Sequence, residues 1–198
     1  MTTPASVLSP VEQVPDPTPL AGPVTRVGPL GRWFAGLRAR RSALAERRRA
    51  EDVARLADLL PVLASARDRV EAGWIQNAWF ETVGPTGGRM LATGMAAFRV
   101  EPRDVTGSCL VGALVLAAGG PAEVQSPVVR DAVAATWHAL HRADGDPFER
   151  AHEPIARART VRDLTGWNDD PGRSAEEVTE LLLTAERMVS RELLASGS

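Results

Sequence analysis

The chain has 198 residues, 44% hydrophobic and 24% charged, with a formal net charge of −2, which are values of an ordinary globular protein and exclude collagen-like, purely coiled-coil and wholly disordered classes. Its one cysteine cannot make an internal disulfide, so a stapled secreted scaffold is excluded and a reducing compartment is implied. The longest apolar run, Cys109 to Ala118, is far short of the roughly 18 residues that span a bilayer, and no basic-then-apolar leader opens the chain, so a soluble, cytoplasmic protein without a transmembrane segment is expected. All 23 basic residues are arginine and asparagine occurs only at positions 77 and 168, a bias that high-GC coding would produce. Arginine richness alone is therefore no sign of phosphate binding, whereas an asparagine that persists against the bias merits inspection.

Residues 1–29 carry Pro4, Pro10, Pro15, Pro17, Pro19, Pro23 and Pro29 with few large apolar side chains between them, which predicts a disordered proline-rich tail. Between Leu30 and Arg49, seven arginines against Glu46 give a local charge of +6 and leave −8 for the rest. Leu30, Trp33, Phe34, Leu37 and Leu44 fall near helical spacing there, predicting a short basic amphipathic helix over 30–49. Residues 50–196 are expected to form the globular domain. Val53, Leu56, Leu60, Leu63 and Val70 make a helical stripe, with Pro61 either kinking one helix or starting a second and Gly73 as a stop.

Gly84-Pro85-Thr86-Gly87-Gly88 must turn, and residues 89–105 read as loop with room for a short hairpin. Thr106 or Ser108 is expected to cap a helix running to about Ala118 that is apolar on every side and so belongs in the middle of the domain. Ser126-Pro127 opens a helix to about Arg142, and Asp144-Gly145-Asp146-Pro147 turns into a helix over 148–159. Thr160 with Asp163 resembles a cap for a short turn, Trp167 to Gly172 reads as loop, and Ser174 with Glu177 is a capping box for a final helix. The expected fold class is all-α: a compact helical bundle around a central apolar helix.

Gly73-Trp74 with Gln76 two residues on, the Ser108-Cys109-Leu110-Val111-Gly112-Ala113-Leu114 helix start, and Trp167-Asn168-Asp169 leading into Arg173-Ser174-Ala175-Glu176-Glu177-Val178 occur in this order. Together they resemble an uncharacterised bacterial and phage family, domain of unknown function 6197, over roughly residues 52–190. The sequence departs from that family's pattern at Ile75, where a cysteine is common, and in a longer stretch before Cys109. The resemblance implies a shared small domain and supplies no activity.

Several residues can carry chemistry. Cys109 in the first turn of a helix would feel the positive end of the helix dipole, with His138, His141 or His152 as a base, which would make a thiol-dependent hydrolase or transferase. Against this, the surrounding helix is uniformly apolar, and centring the Ser126–Arg142 helix on Val129 puts His138 on the solvent side and His141 at its border. His138 and His141, at i and i+3, would need Asp144, Asp146 or His152 to complete a metal site, and no metal is expected. Trp74, Gln76, Asn77, Trp167, Asn168 and Asp169 would either close turns or gather into a pocket for a polar ligand. Without a glycine-rich phosphate loop or a nucleophile elbow, no cofactor is expected. Trp33, Phe34, Arg38, Arg40, Arg41, Arg47, Arg48 and Arg49 are the expected contacts with a protein, nucleic acid or anionic surface. The function expected is a non-catalytic interaction or regulatory module, with the cysteine enzyme as the rival reading.

Overall fold

A computed structural model gives the architecture of residues 29–141 and 154–196. The proline-rich stretch up to residue 28, the turn Asp144–Pro147 and His152 lie outside the described residues, as do the side chains of Trp33 and Phe34. The chain divides into two compact units, Met1–Ala43 and Leu44–Ser198. In the first, the described residues 29–43 are helical throughout.

Helix α1 spans Pro29–Ala72 and contains Pro61. The basic segment and the stripe that follows it are therefore parts of one helix, and no second helix starts at the proline. Pro61 lacks an N–H and frees the carbonyl of Ala57, but both residues are exposed, so water can bond that carbonyl. Leu56, Leu59, Val62, Leu63, Ala66 and Val70 turn inward. Gly73 ends the helix, and a Cβ there would lie 2.5 Å from the carbonyl oxygen of Thr106, so only glycine allows the next segment to pass this close.

What passes is a strand, and the all-α expectation needs correcting: the fold is mostly helical with a small sheet. β1 (Phe80–Val83), β2 (Arg89–Ala92) and β3 (Val105–Ser108) form an antiparallel sheet in the order β2-β1-β3. The glycine-punctuated turn joins β1 to β2, with Gly84 N–H donating to Gly88 O at 2.7 Å. The one-turn helix α2 (Gly94–Ala97) and a 3₁₀ turn at Pro102–Asp104 bridge to β3. Thr106 and Ser108, expected as caps, are strand residues instead. Thr106 donates its hydroxyl to Glu81 across the strands, and Ser108 N–H donates to Gly73 O at 2.9 Å.

Helix α3 (Leu110–Ala117) is the apolar rod at the centre, with every residue from Leu110 to Leu116 buried. It packs against α4 (Pro127–His141) and α5 (Pro154–Asn168), while α4 also packs against α6 (Ala175–Ser196). Ser126 Oγ accepts from Val129 N–H at 3.4 Å, the cap expected for α4. The cap expected at Thr160 is absent because α5 is continuous: the Thr160 hydroxyl donates to Ala156 O one turn back at 3.0 Å and so satisfies itself inside the helix. Trp167 and Asn168, read as loop, are its last two residues. At α6 the capping box is formed reciprocally, Ser174 N–H donating to Glu177 Oε2 at 2.9 Å and Glu177 N–H to Ser174 Oγ at 3.3 Å.

Candidate functional site

The end of α5, the segment after α1 and the start of α3 meet at Asn168, which is 0% exposed. Its Oδ1 accepts from Trp74 Nε1 at 2.8 Å and from Leu110 N–H at 3.0 Å. Its Nδ2 donates to Ile75 O at 3.3 Å and to Asp169 Oδ1 at 2.8 Å. A side-chain amide has two donors and an oxygen with two lone pairs, so all four bonding positions are filled within the protein. Gln76 Nε2 spends both its hydrogens likewise, on Asn168 O at 2.9 Å and Asp170 O at 2.7 Å. Asp169 Oδ1 also accepts from Asn77 N–H at 2.8 Å.

That last bond fixes Asn77 in the left-handed region, at φ 62°, which asparagine tolerates better than most side chains. Trp167 is clamped by Arg173, whose guanidinium carbon lies 3.9 Å from the ring centroid and whose Nε donates to Trp167 O at 3.3 Å. The structure thus brings all six proposed ligand contacts together, and it spends the polar side chains of Trp74, Gln76, Asn168 and Asp169 on bonds within the protein.

Cys109 sits beside this clasp as the N-cap of α3, 1% exposed. Its sulfur accepts from Gly112 N–H at 3.3 Å, filling one of the orphan donors of the first turn. Burial pushes the thiol up to about 11, and the Gly112 N–H offsets this in part. A thiol so placed stays protonated at neutral pH and is a poor nucleophile. Gly112 is required by the same packing, since a Cβ there would stand 2.3 Å from Trp79 O.

His138 is buried at 4% exposure, not solvent-facing as the stripe centred on Val129 implied. The reason is that α4 is packed by α3, α5 and α6 and has no single outward face along that length. Trp137 meets His138 edge-on at 5.5 Å and stacks on His141 at 4.5 Å, and His141 Nδ1 lies 3.1 Å from Trp137 O. Among the described residues no three His, Cys, Asp or Glu are grouped to hold a metal ion. Every described side chain from Arg38 to Ala50 is exposed, and Arg47 pairs with Glu51 at 2.9 Å.

A site that sequence reading did not find is a cavity of about 640 Å³ beside α4. Trp79, Phe98, Val115, Val133 and Val161 supply apolar walls, and Arg55, Arg130, Asp131 and Arg157 supply charge. These residues are spread over some hundred positions with no local spacing in common.

A family model matches residues 54–188, a stretch that encloses the whole clasp, Cys109 and every residue lining the cavity. The chain belongs to the family of unknown function DUF6197. No curated protein and no solved structure matches the chain. The arginines at 38–49 lie outside the DUF6197 match, so the clasp and not the arginine run is what the family model covers. Among the described residues no helix is long and apolar enough to cross a membrane.

Proposed function

We propose that this DUF6197 protein is a non-catalytic interaction module whose arginine segment, residues 30–49, engages an anionic partner. The observation that carries the reading is exposure: no described side chain between Arg38 and Ala50 is buried, although that stretch concentrates six arginines against Glu46. A helix that is polar and exposed on every side gains little from burial of its own, and a surplus of guanidinium groups attracts phosphate, sulfate and carboxylate. Trp33 and Phe34, in the same segment, would add apolar contact. The clasp is then a structural lock, and Cys109 a cap in it, which accords with a thiol held protonated by burial.

Retention of the full chain on immobilised heparin, a generic polyanion, tests this. Wild-type protein is expected to elute at a salt concentration well above that of a variant with Arg38, Arg40, Arg41, Arg47, Arg48 and Arg49 all changed to Gln, because each neutralised contact flattens the salt dependence. Identical elution of the two would overturn the proposal.

A further inference from the structure

We propose that the cavity beside α4 binds a small organic anion with an apolar body, of the kind represented by a medium-chain carboxylate. This goes beyond the arginine-segment reading and rests on different residues.

The cavity's volume of about 640 Å³ falls within the roughly 300–1,000 Å³ of small-molecule sites. Its walls are the side of α3 at Val111 and Val115, the face of α4 at Val129 and Val133, and Trp79 with Phe98, whose rings meet at 5.7 Å and 61°. Such walls favour an apolar body over a sugar or a free phosphate. The charge that the described residues bring to the same cavity is not balanced. Asp131, with a side chain 13% exposed, lies 3.7 Å from Arg55 and so meets one of the three guanidinium groups. Arg130 and Arg157, both half-buried, have no ion-pair partner among the described residues. Two cations left over among the described residues of a pocket with low-dielectric walls, in a chain whose net charge is −2, point to the sign of the occupant. Guanidinium is weakly hydrated and pairs with carboxylate in a bidentate fork, so it is suited to the rim of an apolar site.

The test uses the full chain with decanoate as the probe and decanol as its uncharged counterpart. Binding is read from methyl resonances by NMR and by calorimetric titration. Decanoate is expected to bind saturably at one site and to shift the methyl signals of Val115, Val133 and Val161, with decanol at least about tenfold weaker, the value of one charged hydrogen bond. The double substitution Arg130→Gln with Arg157→Gln, with circular dichroism and urea unfolding to verify that the fold is retained, should bring decanoate down to the level of decanol. Retention on heparin should be unchanged by that double substitution. Conversely, the six-arginine variant should bind decanoate as the wild type does, so the two proposals fail separately. Absence of saturable binding, shifts confined to other methyl groups, or decanoate affinity untouched by the double substitution would each overturn the proposal.

Discussion

The clasp around Asn168 and the arginines between 38 and 49 use polar side chains in opposite ways. At Asn168 each donor and each lone pair is matched inside the protein, and the residue has no surface in water. In the arginine stretch the described side chains all face water, and the pairing with Glu51 is between side chains 78% and 58% exposed. The difference teaches that the value of a polar group to stability depends on what its loss leaves behind. A buried partner stripped of its bond has no water to turn to, whereas a surface guanidinium never gave up its hydration.

The largest effect should therefore come from Asn168→Ala. It would leave Trp74 Nε1, Leu110 N–H and Ile75 O without their bonds at the junction of α1, α3 and α5. At about 1–3 kcal/mol for each buried group left unpaired, a loss of at least 3 kcal/mol is expected in urea unfolding. A loss below about 1 kcal/mol would show that the junction relaxes or admits water, and the contrast with the surface would collapse.

Cys109 sharpens the comparison through pH. Its thiol is raised from an ordinary 9.0 to about 11 by burial. In the unfolded chain the thiol loses its proton near 9 while the folded protein holds it, so the unfolded state is favoured increasingly as pH climbs. The contribution is fully present below pH 9 and is lost towards pH 11, about 2–3 kcal/mol in all. The stability difference between wild type and Cys109→Ala, measured across that window, should shrink accordingly, and native alkylation should wait on unfolding. A pH-independent difference would mean the sulfur is not sealed. Ser174→Ala, which removes an exposed half of a capping box, sits between the two regions and should cost about 1 kcal/mol by the same denaturation.

How much of this was legible beforehand follows the same division. Apolar stripes and caps act over a few residues, so the central rod α3, the cap at Ser126 and the box at Ser174 with Glu177 could be read directly. The sheet could not. Its strands are four residues each, β2 is Arg-Met-Leu-Ala with no β-branched residue, and Val105-Thr106-Gly107-Ser108 looks like a helix entry until Gly73 comes alongside. That approach joins residues about thirty positions apart and leaves no periodic trace. The six residues of the clasp were picked out because the only two asparagines lie beside tryptophan-containing motifs, but the bonds that Trp74, Gln76 and Asp169 make around Asn168 depend on α5 running on through Asn168. His138 was misplaced for a related reason: a helical stripe locates the first packed face and is silent about a second.

The smallest effect should come from the arginine stretch. Changing Arg38, Arg40, Arg41, Arg47, Arg48 and Arg49 together to Gln keeps good helix formers at every position and removes exposed charge from a segment where like charges crowd one another. The ion pair lost among the described residues, Arg47 with Glu51, is of the solvated i, i+4 kind that contributes little. The net change in unfolding free energy should lie within about 0.5 kcal/mol. A larger loss would mean that these guanidinium groups serve the fold, and the reason for assigning them to a partner would go with it. A null effect on stability together with lost heparin retention would separate, in one variant, the part of this chain that folds the domain from the part proposed to meet something else.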